Sequence, residues 1–401
     1  MSASTPRPAR APLPLANAVP RARAPGVEPY RVLFPFGYLF ALLGVGLWPA
    51  AAFGWLPYPA LLHRSFMLQG FEMSFVLGFL LTAMPGFTHG EKCRPAELRT
   101  ALSAALGFTF ASLAGFSAVA GASFVLATLV PLVAFVRRLW RAPVPPAVEL
   151  AFVVFGLGLG ALGGILQTTQ ALGMTELSPR FAERMIAFGM MLPVVIGVGG
   201  LLVPVFAGIR KPLAIPGVAA PHERGGRFVL YLGVLASFAL ALVLEPLGLR
   251  PLAAWLRATA AGTVLILVWK IWRLPGQRTV PAYAMWGSGW CLLTGLATAA
   301  ALPRYELAAL HLAFIGGFGL LTLAIATRVI VAHGKHGLEQ EAHTLTPTVG
   351  GLVIAALALR IAADLVPART LPLLGASGAL WMIAWLWWGS RALPRLFRTR
   401  G

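Results

Sequence analysis

The chain has 401 residues, 58% of them hydrophobic and 11% charged, with a formal net charge of +19. So apolar a composition excludes an ordinary soluble domain. In a soluble chain the charge would suggest nucleic acid. Here no basic-aromatic stripe or zinc-ligand spacing accompanies it, and the excess reads as loop arginine and lysine that hold a membrane topology and touch anionic headgroups.

Residues 1–30 are rich in proline, alanine and arginine, cannot bury a core, and are expected to form a disordered cytoplasmic tail. Pro12, Pro14 and Pro20 break the apolar stretches of this tail, so it is no clean signal peptide. A membrane domain is predicted over 31–395, followed by a short basic cytoplasmic tail, 396–401. A hydrocarbon layer about 30 Å thick needs roughly 20 apolar residues per helix. Runs of that kind recur at about 33–53, 66–85, 101–120, 122–136, 149–168, 185–208, 228–246, 252–270, 282–302, 307–332, 347–366 and 372–390. The fold class is therefore an all-α polytopic bundle of about twelve spans, embedded in the lipid bilayer. The third and fourth spans nearly fuse around Gly121, which predicts a tight hairpin there. Pro193 and Pro204 lie inside the sixth span and predict a kink or local unwinding. No internal repeat stands out, and two six-span halves meeting near Gly217 are the natural division. Of the 32 lysines and arginines, 24 fall in one alternate set of gaps and tails, which puts both termini in the cytoplasm.

Cys93 and Cys291 are far apart and form no CxxC, so neither a disulfide framework nor a thiolate site is indicated. Topology sorts the histidines instead. His63 and His311 start the second and tenth spans at the outer leaflet, and His89 and His333 close the same spans at the inner one. At about 1.5 Å per residue, the two histidines of one helix lie roughly 33–39 Å apart, so one helix cannot bring both to one metal. Across helices, His63 can face His311, and His89 can face His333 with His336 nearby. Two imidazoles at matching depth suit a haem or copper site; the plainer alternative is that each caps a helix or titrates at the interface. For His89, His222, His336 and His343, in cytoplasmic segments, the plainer alternative is preferred.

Glu72, in the second span, is a functional candidate because an intramembrane carboxylate is costly, although an interhelical hydrogen bond would also account for it. Arg360 and Asp364 are four apart on one helix face and read as an ion pair, or as a partner for haem propionates. Arg257 and Arg328 are placed to snorkel to the interfaces. Met67 is more easily read as packing than as a copper ligand.

Several stretches resemble the NnrS family of bacterial membrane proteins. They are YRVLFPFGYLFALLG from Tyr30, HRSFMLQGFEMSFVLGFLLTAMPGFTHG from His63, HLAFIGGFGLLTLAIATRVIVAHG from His311 and, less closely, GVGGLLVPVFAG from Gly197. In the second, His63, Met67, Gly70, Phe71, Gly78 to Ala83 and Pro85 match the family pattern in register. In the third, His311, Gly316, Thr327, Arg328, His333 and Gly334 do. The resemblance implies an integral membrane protein of the bacterial cytoplasmic membrane that binds haem or copper and serves nitric oxide metabolism or nitrosative stress tolerance. On that reading His63 and His311 are the expected axial ligands, His333 is a ligand candidate for a separate inner site, and Arg360 neutralises propionates. The chain departs from the pattern at Ser65, where the family has a second histidine, at Phe66, where it has a glutamate, and at Leu201, where it has an arginine. A secondary transporter with its substrate site near Glu72 is the rival reading, and a cofactor-free assembly scaffold a third. The loop after the second span lacks the Gly-x-x-x-Asp-Arg signature common in twelve-span facilitators.

Overall fold

The structure, a computed structural model, describes residues 28–210 and 221–398, and only the backbone of 221–224. The expected disordered tail up to residue 27, Gly217, the His222 side chain and residues 399–401 lie outside the described residues, while the start of the expected basic tail, 396–397, is the end of the last helix. Among the described residues the chain is helical and has no β-strand.

Ten helices are long and apolar enough to cross a membrane. Two more, of 19 and 22 residues, occupy the places of the third and ninth expected spans. In chain order the twelve are α1 (Pro29–Ala52), α2 (Ala60–Thr88), α3 (Pro95–Leu113), α4 (Ser117–Trp140), α5 (Val148–Ala171), α6 (Pro179–Phe206), α7 (Gly225–Leu244), α8 (Arg250–Trp269), α9 (Val280–Ala301), α10 (Pro303–His333), α11 (Pro347–Leu365) and α12 (Pro367–Phe397). Local signals set the ends. Proline at the first turn opens α3, α9 and α11, and the Thr279 and Thr346 hydroxyls accept the amides of Ala282 and Val349 as N-caps. Pro29 opens α1 in the same way, so the first helix begins four residues ahead of the apolar run. The hairpin expected at Gly121 is made six residues earlier, at Gly115, whose φ of 78° suits glycine alone. Gly121 lies inside α4, where a Cβ would stand 2.5 Å from Thr168 Oγ1.

The helices form three units of four. In each, the first helix packs on the second and the third on the fourth; the fourth then packs on the first helix of the next unit, with α12 closing the ring on α1. The second helices, α2, α6 and α10, meet inside this ring. This replaces the expected division into two six-span halves.

These three helices share one construction. Each has a short α-helical segment near its start, preceded in α10 by a 3-10 turn, and then widens into a π-helical stretch: Phe66–Glu72, Met185–Met191 and Leu312–Gly319. The fifth residue of every stretch is glycine, namely Gly70, Gly189 and Gly316. A Cβ there would meet the first helix of the same unit: Phe40 at 2.5 Å, Leu159 at 3.2 Å and Cys291 at 2.7 Å. The widened turn and the missing side chain let each inner helix nest against its outer neighbour. In α6 the stretch directly precedes Pro193, so the local unwinding expected from that proline takes the form of a π segment.

α1 begins and α12 ends on one face, the terminal face, where Arg31 donates to the Leu396 carbonyl and His336 to that of Arg395. An even number of crossings follows. Arg138, buried on the same face, donates to the Glu91 and Lys92 carbonyls and pairs with Glu97 at 2.8 Å, tying the end of α4 to the loop between α2 and α3.

Gly295 of α9 offers a direct check. A Cβ there would lie 2.7 Å from both the Ala309 carbonyl oxygen and the Ala313 amide nitrogen, and neither backbone atom can move aside. Gly295→Val is expected to cost about 1–3 kcal/mol through overpacking. Gly287→Ala, which meets nothing within 4 Å, should be close to neutral. Thermal unfolding in detergent of the two variants measures the contrast.

Candidate functional site

On the face opposite the termini, α2, α6 and α10 diverge around a cavity of about 420 Å³, closed on one side by α1, α11 and α12. His63 and His311 both line it, from separate helices. The His63 Nδ1 lies 2.8 Å from the Gly44 carbonyl, and the His311 Nδ1 2.8 Å from the Leu307 carbonyl one turn back on its own helix. A carbonyl oxygen can only accept, so each Nδ1 carries the proton and donates it. Each Nε2 is then the nitrogen that holds a lone pair, the tautomer and orientation found in metal-ligating histidines. Trp48 stands edge-on to the His63 ring at 5.3 Å, and Phe314 to the His311 ring at 6.1 Å.

The walls between the imidazoles are largely apolar, with Met67, Phe71, Phe188 and Trp381 among them. Charge gathers toward the mouth. Arg360 lines the cavity and pairs with Asp364 at 2.9 Å, the i, i+4 pairing expected of these two residues. Arg64 pairs with Glu183 at 3.2 Å. Arg184 contacts Glu245 and Glu306, the latter at 2.9 Å, and lies over the Phe188 ring. Behind it Arg257 pairs with Glu245 at 2.6 Å and lies over the other side of the same network, 4.7 Å from the Phe188 centroid. Arg257 therefore does not snorkel: it is buried, because Glu245 from the end of α7 supplies a countercharge inside the bundle.

Glu72 forms part of the cavity's wall at its inner end and also lines a second, smaller cavity of about 70 Å³ nearer the terminal face. Ser65 and Phe66, the two departures beside His63, do not line the larger cavity. Ser65 donates to Gln69, which in turn donates to Gln167 of α5 at 2.7 Å, while Phe66 packs edge-on against Phe40. Leu201 is buried in the core.

His333 is not brought to the outer pair. It stands on the terminal face, 4.0 Å from Glu28, with its ring 5.7 Å from that of Tyr30. Arg328 also lies toward that face. It pairs with Glu341 at 2.5 Å and covers the Phe206 ring, so it is held by a countercharge and an aromatic face in place of open headgroups. Burial raises the Glu341 carboxyl above its ordinary range, and Arg328 opposes that shift. The Cys93 thiol, in the loop between α2 and α3, is pushed up to about 12 by burial and by Glu97, so it is no thiolate at neutral pH. Among the described residues no three His, Cys, Asp or Glu side chains gather as a metal cluster.

Sequence reasoning had picked out His63, His311, Met67, Glu72 and Arg360, all of which line the larger cavity. It missed Arg64, Glu183, Arg184 and Glu306. In the sequence, the arginines among them read only as topology markers. The available signal was a charged pair, Glu183–Arg184, at the start of an apolar span, six residues before the glycine Gly189.

Residues 27–400 match the family model described as NnrS protein. No curated protein matches the chain.

The buried triad around Glu245 makes a further check available. The Arg257 and Glu245 side chains are each 4% exposed. Glu245→Gln removes the countercharge shared by two guanidinium groups and is expected to cost about 3–5 kcal/mol, as breaking a buried pair from one side does. Adding Arg257→Gln should recover a large part of that loss. A double-mutant cycle on thermal unfolding reads both.

Proposed function

Because the chain belongs to the NnrS family, a multi-pass membrane protein family, we propose that its larger cavity holds haem between His63 and His311 and serves nitric oxide handling or nitrosative stress tolerance in the bacterial cytoplasmic membrane. One observation carries this reading: two imidazoles from different helices, each with its Nδ1 committed to a backbone carbonyl, share one largely apolar cavity.

The cavity suits the group in three respects. Its donors are neutral imidazoles, which bind iron without burying charge. Its aromatic and aliphatic walls suit a flat macrocycle. Arg360 and Arg64 line it too, and guanidinium groups there can pair with propionates. When bound, haem would supply an iron that could take nitric oxide in place of one of the two imidazoles. The protein's own contribution is to fix both ring orientations through the Gly44 and Leu307 carbonyls and to shield the centre with Trp48 and Phe314. Copper is the second candidate, with Met67 as a soft donor in the same cavity. Imidazole and thioether would suit it, but no cluster of three His, Cys, Asp or Glu side chains forms among the described residues. His333, beside Glu28 and Tyr30, could serve a separate inner site.

Both termini are assigned to the cytoplasm, supported by the uneven distribution of arginine and lysine and by the shared face on which α1 starts and α12 ends. The larger cavity then opens toward the periplasm. The transporter reading is less well served, since a closed ring of three units offers no two halves to rock against each other.

Purified protein supplied with haem during expression is expected to show a Soret band and bound iron. The His63→Ala, His311→Ala double variant should lose the band while keeping its helical circular dichroism and its elution volume. A well-folded wild-type protein that is colourless and free of iron and copper would sink the proposal.

A further inference from the structure

Among the described residues, Glu72 is the only side chain with an ionisable group that lines both cavities. It is 5% exposed, and Thr322 of α10 donates its hydroxyl to Oε2 at 3.2 Å. No basic group pairs with it among the described ion pairs. An ionised carboxylate with a single hydroxyl donor, at the centre of a membrane bundle, lacks the compensation that interior charges need. Its neighbours differ sharply on the two sides. Toward the terminal face, the smaller cavity is walled by Phe34, Phe79, Val198, Leu202 and Ile325, and among the described residues Thr322 is its only other polar side chain. Toward the opposite face, the larger cavity carries the His63 and His311 imidazoles and the Arg64, Glu183, Arg184 and Glu306 side chains, and it is roomy and polar enough to hold water.

A carboxyl at this boundary has a proton partner on one side only. We propose that Glu72 is a proton-exchange site at the floor of the larger cavity, loaded and unloaded from the face opposite the termini. In the exchange, the Glu72 O–H bond breaks as a cavity water takes the proton to become hydronium, and the reverse step restores the acid. Thr322 stays hydrogen-bonded to the carboxyl and fixes its orientation. The apolar cavity below offers no relay, so it blocks passage of the proton to the terminal face. The site does not depend on what the two imidazoles bind.

Infrared spectroscopy of the detergent-solubilised full chain, with no cofactor added, tests this. The wild type is expected to show a carbonyl band of a protonated carboxyl that shifts within minutes of transfer to heavy water. Glu72→Gln should delete that band. Thr322→Val should move it to higher frequency, because the hydrogen bond to the carboxyl is lost. If Glu72→Gln does not fold, the shift in Thr322→Val alone decides the assignment. Three results overturn the inference: no such band in the wild type, a band that neither variant alters, or a band that stays unshifted in heavy water for hours. The last would mark Glu72 as a sealed structural hydrogen bond. Because the band is read without haem or copper, its absence leaves the cofactor reading untouched, and a colourless protein leaves this one untouched.

Discussion

The molecule depends on close helix approach at three glycines. Lipid tails are as apolar as leucine, so membrane helices gain little from hiding apolar surface from one another and associate through packing. Gly70, Gly189 and Gly316 provide that packing at equivalent places, each inside a π-helical stretch and each receiving a side chain from the first helix of its own unit. The π stretches of α2, α6 and α10 also supply cavity lining, Met67, Phe71, Phe188 and Phe314 among it. The same local device therefore holds the ring together and shapes the space inside it.

Charge is handled by confinement. Arg184 and Glu306 line the larger cavity and, with Glu245 and Arg257 behind them, form a connected group, with Phe188 beneath both guanidinium groups. Arg138 does similar work on the terminal face, where it joins a loop to a helix end. Such groups are expensive to bury singly and become tolerable when every guanidinium finds a carboxylate or carbonyl. Glu72 stands apart from this rule, with a hydroxyl as its partner and a cavity on either side.

The histidines show how a site can be prepared by backbone alone. The Gly44 carbonyl reaches His63 from α1, and a Cβ at residue 44 would press on Met67 Sδ at 3.0 Å. One glycine thus lets the helices come close enough for its own carbonyl to orient a ligand candidate. His311 achieves the same orientation within one helix, through the Leu307 carbonyl one turn back. Two different local solutions leave Nε2 as the lone-pair nitrogen on two residues that line one cavity.

By itself, the sequence determined the membrane class and the approximate place of each helix, with ends up to seven residues from those observed, because spanning length and apolar content are local, additive properties of a run of residues. It also marked His63, His311, Glu72 and Arg360, since a polar side chain in an apolar run is conspicuous in one dimension. Tertiary structure alone decided that the chain forms three units of four rather than two halves, that the hairpin turns at Gly115, and that Arg257 is buried beside Glu245. It also decided that Ser65 faces Gln69 and α5 rather than the cavity, and that His333 lies far from the outer pair. These outcomes depend on which face of a helix meets which neighbour. That is set by where small residues let backbones approach and where a π segment rotates the side chains that follow, and neither effect is written in the hydropathy of any single stretch.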